Sequence, residues 1–186
     1  MAVGHYKKML KAARGDDPKY MLLLVMGNMG LRVSEAVQLS RPDFDRLSGN
    51  PPACTPRSLK KKDRGARKLI YVHPRIAGRL RRYLRSMDRG QDRLFPGNAR
   101  GGHLSARQAQ RWFKGLVRAC KFVQDYSTHS LRHMYASLVA EKTGNMAFVR
   151  DQLGHATIQG IGVTSQYIHI SPEKARELIK QVGYIL

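Results

Sequence analysis

Two arginines, Arg32 and Arg132, a lysine cluster at Lys60, Lys61 and Lys62, two imidazoles, His129 and His155, and a late phenol, Tyr167, are spread along this 186-residue chain. Together they are parts for gripping and attacking a phosphodiester without a metal. Guanidinium forks bind phosphate oxygens bidentately and keep their charge at every accessible pH, so a pair of them can hold the negative charge that develops on a pentacovalent phosphorus. The phenol supplies the nucleophile. His129 and Arg132 stand three residues apart, so on a helix they share a face and can reach one phosphate, more so if the helix start points at it. Any basic helix supplies such a pair, and the spacing alone does not establish catalysis.

The elements that must position these residues are helical for the most part. Asp17 and Pro18 open a helix that runs through Met26 and loosens at Gly27 and Gly30. Val33, Ala36, Val37 and Leu39 recur at helical spacing, which places Arg32 near the junction of two buried helices. Arg41, Pro42 and Asp43 are turn material, as are residues 48–52. Residues 55–72 change pattern and end in the strand-forming run from Lys68 to Val72, which predicts a β-hairpin with a cationic tip. Pro74 starts a further helix with Ile76, Leu80, Tyr83 and Leu84 on one side, and residues 94–98 read as a loop. Ser105 caps a helix carrying Trp112, Phe113, Leu116 and Val117, with Trp112 read as core. Thr128 or Ser130 caps the helix of Leu131, Tyr135, Leu138 and Val139, which Gly144 ends. Residues 146–153 give a short helix before Gly154 and His155. Residues 156–165 have no strong period and are expected to be mobile. Ser171, Pro172 and Glu173 start the last helix, with Ala175, Leu178, Ile179 and Val182 on one face.

Composition narrows the partners. Lys and Arg number 34 against 13 Asp and Glu, a net charge of +21, while 42% of residues are hydrophobic. Such a field repels itself unless a polyanion neutralises it, and the apolar content supports a packed core rather than a basic tail. Nucleic acid is the expected partner. Between Arg57 and Arg93 lie 14 basic residues against three acidic ones, part of the expected footprint on DNA. Cys54 and Cys120 are far apart and outside any CxxC spacing, which fits a reducing, intracellular compartment. The longest uncharged apolar stretch, residues 20–31, is well short of the ~20 residues of a bilayer span, and no signal peptide is read at the start. The expectation is a cytoplasmic, DNA-associated protein with no membrane partner.

The words around the reactive residues carry more information than their spacing. Gly30-Leu31-Arg32-Val33-Ser34-Glu35-Ala36, His129-Ser130-Leu131-Arg132-His133, Leu153-Gly154-His155 and Ser165-Gln166-Tyr167-Ile168-His169 occur in this order. Together they resemble the tyrosine recombinases, also called the phage integrase family, over nearly the whole chain. The resemblance implies a mainly α catalytic-domain fold with a small β-sheet or hairpin, clamped on one side of duplex DNA. By motif, Arg32 and Arg132 would bind the scissile phosphate, His129 and His155 would hydrogen-bond its oxygens or move protons, and Tyr167 would be the nucleophile. The product implied is a 3′-phosphotyrosyl link with release of a 5′-hydroxyl, needing neither cofactor nor metal. A hairpin-tip lysine would protonate the leaving oxygen: Lys62 has the family-like distance to Arg67 and is favoured, whereas Lys60 and Lys61 fit a longer turn. Lys60, Lys61, Arg64, Arg67, Arg107 and Arg111 are expected to contact DNA. The stretch between His155 and Tyr167 is a little longer than is usual. The family also has a helical core-binding domain ahead of this one, so residues 1–186 are read as a single C-terminal catalytic domain of a longer recombinase. The apolar end at Tyr184, Ile185 and Leu186 would dock on a neighbouring protomer in a tetramer on DNA, or on its own chain.

Three other readings use the same residues. His129 and His133 at i, i+4 with His155 could bind zinc, but Arg132 sets a cation beside that site and no HExxH-like carboxylate is present. A type IB topoisomerase shares the phosphotyrosine chemistry and differs in the fate of the cut strand. A non-enzymatic DNA-binding regulator would lose nothing on Tyr167→Phe. Glu35 is read as orienting Arg32 structurally.

Overall fold

The computed structural model describes residues 1–57, 59, 67–100, 102–154 and 170–185. A helix that sequence patterning did not single out comes first: α1, Val3–Ala12, buries Tyr6, Met9 and Leu10, three residues at helical spacing among lysines. The second, α2 (Asp17–Met29), starts where Asp16 accepts the backbone N–H of Lys19 and stops at Gly30, which is left-handed at φ 61°. Its residues 21–29 are buried on every side, as expected of a helix at the centre of a fold. Gly27 does not loosen it. A Cβ there would lie 2.3 Å from the ring of Tyr6, so Gly27 lets α1 pack directly on α2.

The next helix, α3 (Val33–Ala36), is a single turn with Arg32 at its N-cap, shorter than the spacing of Val37 and Leu39 suggests, although both are buried. The turn at Arg41–Phe44 is a 3-10 helix held by Asp43, whose carboxylate accepts from the Ser40 N–H and hydroxyl. Strands β1 (Ala53–Cys54) and β2 (Ile70–Tyr71) pair antiparallel with Ala53 opposite Tyr71, and Arg57 bridges Arg67 beyond them. The hairpin is therefore present, with its regular pairing nearer the base than 55–72 suggests. Helix α4 (Pro74–Ser86) buries Ile76, Ala77 and Leu80.

A short strand β3 (Pro96–Ala99) bridges His103 where a loop was expected. Helix α5 (Ala106–Ala119) is capped by Ser105 and Gln108 reciprocally. Helix α6 (Thr128–Thr143) is capped by Ser127, one residue before the expected position, with Ser130 returning a bond to the Ser127 N–H, and it ends at left-handed Gly144. Helices α7 (Met146–Leu153) and α8 (Pro172–Val182) start at Asn145 and Ser171. The main core surrounds α2; a second apolar cluster joins Tyr135 and Val139 of α6 to Phe148 of α7 and Ala175, Leu178, Ile179 and Val182 of α8. Trp112 is partly buried against the main core, in keeping with a packing role.

The chain end returns to the centre. Asn28 on α2 accepts the Ile185 N–H at 2.9 Å and donates to its carbonyl at 3.2 Å, and Ile185 is buried. Tyr184 lies under the Arg75 guanidinium, 4.6 Å from ring centroid to cation, so the tail docks on its own chain. Among the described residues no helix is long and apolar enough to cross a membrane.

Candidate active site

Arg32 is placed by the break between α2 and α3. Gly30 turns the backbone left-handed, and a Cβ on it would stand 2.5 Å from Tyr135 Cδ1 and 2.9 Å from Leu153 Cδ2, so only glycine lets α6 and α7 close on this joint. Glu35 then folds back: Oε2 accepts the Arg32 N–H at 3.1 Å and Oε1 accepts Nη1 of its guanidinium at 3.2 Å. The Arg32 side chain keeps 26% exposure while that of Glu35 keeps 1%.

Arg132 arrives from α6 and is buried. Its Nη1 donates to the Gly30 carbonyl at 2.6 Å and its Nη2 to the Leu153 carbonyl at 2.8 Å, which ties the helix to both the Arg32 joint and the end of α7. Burial and then the neighbouring Arg32 cation push its pKa down to about 10, against a smaller opposing effect of Glu35. It still carries its charge at neutral pH. His129, one turn earlier on α6, is exposed. His129 and Arg132 thus both lie near the start of α6, three residues apart, and the fold brings Arg32 near Arg132.

Lys68 is the cation that sequence reading passed over. It leaves the hairpin just before β2, is 9% exposed in its side chain, and hydrogen-bonds Oε1 of Glu35. Its pKa is lowered, chiefly by burial and further by Arg32 and Arg132, against the opposing hydrogen bond and charge of Glu35. Burial alone would raise the Glu35 carboxyl, but the Lys68 hydrogen bond and charge, with Arg32, hold it below the usual value. Gln152 is a second omission. With its amide turned so that each donor meets an acceptor, it donates to the Tyr71 carbonyl and accepts the Tyr71 N–H, both at 3.2 Å, pinning α7 to β2. The signals were faint: a basic residue in a strand-forming run, and a lone amide on a mixed helix.

Other candidates lie outside this cluster. Arg67 donates to Asp43 Oδ1 and to the Thr55 carbonyl, both at 2.9 Å, and its side chain is 42% exposed. Arg107 and Arg111 sit one turn apart on α5 and are exposed. Within the basic segment 57–93, Arg81 and Arg93 are committed to the Leu47 and Gln38 carbonyls, while Arg82, Arg85 and Arg89 are exposed. Lys60, Lys61, Lys62, Arg64, His155 and Tyr167 lie outside the described residues, as does the stretch 156–165. Among the described residues no group of three His, Cys, Asp or Glu side chains is placed to hold a metal ion.

Residues 3–174 match the profile of the phage integrase family. The chain belongs to that family. Among relatives in the phage integrase family, tyrosine recombinase XerC of Xanthomonas axonopodis pv. citri is 32% identical over 150 residues, covering 80% of this chain and 46% of that protein. Tyrosine recombinase XerD of Corynebacterium glutamicum is 27% identical over 162 residues, covering 84% of this chain and 50% of that protein. The chain spans about half the length of these curated relatives. The crystal structure of XerA recombinase superposes on 97% of this chain and 64% of its own, with TM-score 0.72 and 26% identity. A lambda integrase(75–356) dimer bound to a COC′ core site shares the fold at TM-score 0.67 and 18% identity, over 90% of this chain and 61% of that one. The mainly helical phage integrase fold with a small antiparallel sheet is thus the architecture expected from sequence.

Proposed function

We propose that this chain is the strand-cleaving part of a site-specific DNA recombinase or integrase, acting through a 3′-phosphotyrosyl intermediate. The observation that carries the reading is the meeting of Arg32 and Arg132: a hundred residues apart in the chain, they are joined through the Gly30 carbonyl, two residues before Arg32, which accepts from Arg132 Nη1 at 2.6 Å. Like charges gathered in this way repel, and a phosphate between them would relieve the repulsion while accepting hydrogen bonds from both forks. Arg132 is held rigidly by two carbonyls, so it would meet the phosphate without reorganising, which is the condition for stabilising a charged transition state.

In this mechanism the Tyr167 phenolic oxygen forms a bond to phosphorus as the bond from phosphorus to O5′ breaks. The phenol has an ordinary pKa of about 10, so the cationic surroundings must favour loss of its proton, which His129 or His155 would relay. Lys62, or one of its neighbours Lys60 and Lys61, would give a proton to O5′. The phosphotyrosyl bond conserves the energy of the broken one, and attack by a 5′-hydroxyl from another strand would rejoin the DNA. The partner would be duplex DNA, contacted through Lys60, Lys61, Arg64, Arg67, Arg107 and Arg111. A longer protein with a core-binding domain ahead of this one would complete the clamp. A tetramer on DNA would form by moving the tail from its own Asn28 to a neighbouring protomer, and the protein would work in the cytoplasm on DNA.

Incubating the chain in EDTA with nicked duplexes of randomised sequence, then recovering DNA joined to protein under denaturing conditions, tests the reading and reports the target site together. Covalent capture in EDTA is expected from the wild-type chain and not from Tyr167→Phe. Capture that survives the substitution removes Tyr167 as nucleophile, and DNA cleavage that stops in EDTA removes the metal-free mechanism.

A further inference from the structure

Lys68 has no part in the chemistry just described, yet it is drawn into the centre of the arginine cluster. Its ammonium bonds Oε1 of Glu35, the same oxygen that takes Nη1 of Arg32. Its stem lies on Gly154: a Cβ there would stand 2.6 Å from Lys68 Cδ and 2.9 Å from Cε. The lysine therefore reaches Glu35 across the residue that precedes His155, a path that Gly154 keeps open by having no side chain. Among the described residues, Glu35 is the one acceptor for the Lys68 ammonium and for the Arg32 guanidinium.

Building on the strand-cleavage reading, we infer that Lys68 is a positioning residue that divides the charge of Glu35 and so leaves Arg32 free to engage the scissile phosphate. A carboxylate with 1% exposure must take its hydrogen bonds from protein groups. With Lys68 present, one oxygen is shared between two cations and the other is occupied by the Arg32 backbone N–H, so the guanidinium is oriented without being wholly neutralised. Without Lys68 the whole carboxylate falls to Arg32. A bidentate fork closed on Glu35 offers little to a phosphate. Lys68 also places a third positive charge beside the two arginines, consistent with its pKa being held down by burial and by Arg32 and Arg132.

The alternative role for a lysine here is direct protonation of O5′, and the two roles separate chemically. A bridging sulfur in place of O5′ leaves as a thiolate and needs no proton, so it relieves loss of an acid but not loss of a positioning group. Single-turnover cleavage of the captured duplex, with oxygen or sulfur at that position, is to be measured for wild type, Lys68→Met, Glu35→Gln and the double variant, alongside DNA Kd and melting temperature. Lys68→Met is expected to slow cleavage by about 10- to 100-fold with either leaving atom while Kd changes by less than about threefold. In the Glu35→Gln background the same substitution is expected to cost less than about threefold, because no carboxylate remains to be shared. Should Lys68→Met alone melt out, the comparison within the Glu35→Gln background decides. Sulfur restoring Lys68→Met to the wild-type rate, or an undiminished cost in the Glu35→Gln background, overturns the inference while leaving strand cleavage intact. A wild-type chain that forms no adduct with either substrate would remove the cleavage reading and this inference with it.

Discussion

Arg132 is a structural tie that the proposed mechanism also uses as a reactive group. Its two terminal nitrogens are anchored on the Gly30 and Leu153 carbonyls, and burial draws its pKa down to about 10. A lysine has one ammonium and no planar fork, so Arg132→Lys can satisfy one carbonyl while leaving the other without its donor. We expect cleavage to fall by about 10²- to 10³-fold with DNA binding largely kept, as measured by single-turnover adduct formation and by titration with labelled duplex. Near-normal cleavage would refute the role. Glu35 makes a separate prediction about acid. Its carboxyl is held below the usual 4.5 in the folded chain, chiefly by Lys68 acting against burial, so its contribution to stability is complete above about pH 4.5. That contribution is lost as pH falls through the lowered folded value. Urea unfolding at pH 6 and pH 3 should therefore show a larger loss for wild type than for Glu35→Gln; equal losses would mean that Glu35 is not held ionised.

At the scale of elements, the joints matter more than the helices. The left-handed turn at Gly30 separates α2 from α3, presents a carbonyl to Arg132, and leaves room for Tyr135 and Leu153. Gly30→Ala should cost about 2 kcal/mol or more in urea unfolding, from the positive φ together with a Cβ 2.5 Å from Tyr135. A loss under about 0.5 kcal/mol would mean that the joint yields. Much of this scale was legible in the sequence, because caps and breakers act locally: Ser105, Gly144 and Ser171 mark helix ends as expected. The α1 signal was also present in Tyr6, Met9 and Leu10, obscured by the interleaved Lys7, Lys8 and Lys11. The roles of Lys68 and Gln152 were not legible, since each depends on β2 lying against α7 and on Glu35 being buried, relations between segments distant in the chain. Arg32 and Arg132 were connected by the words around them; their spacing of 100 residues carries no such information.

For the molecule as a whole, a net charge of +21 would dominate encounters with the proposed DNA partner. Neutralising phosphates releases counterions, so log K for duplex DNA should fall linearly with log salt, and each lost phosphate contact should reduce the slope by about 0.9. If Arg107 and Arg111, exposed one turn apart on α5, both contact the backbone, replacing the pair with alanine should lower the slope by about 2 and weaken binding alike for all sequences. An unchanged slope would place DNA on another face. The tail held by Asn28 belongs to this scale too, because the proposed tetramer requires it to leave its own chain. The proposed nucleophile is tested most directly by capturing the protein on a nicked duplex in EDTA, digesting the adduct with protease, and sequencing the peptide left on the DNA. Strand cleavage by Tyr167 yields one peptide, joined through Tyr167 to a 3′-phosphate, with a free 5′-hydroxyl on the released strand. Attachment through another residue, attachment to a 5′-phosphate, or cleaved DNA without a covalent adduct would contradict it.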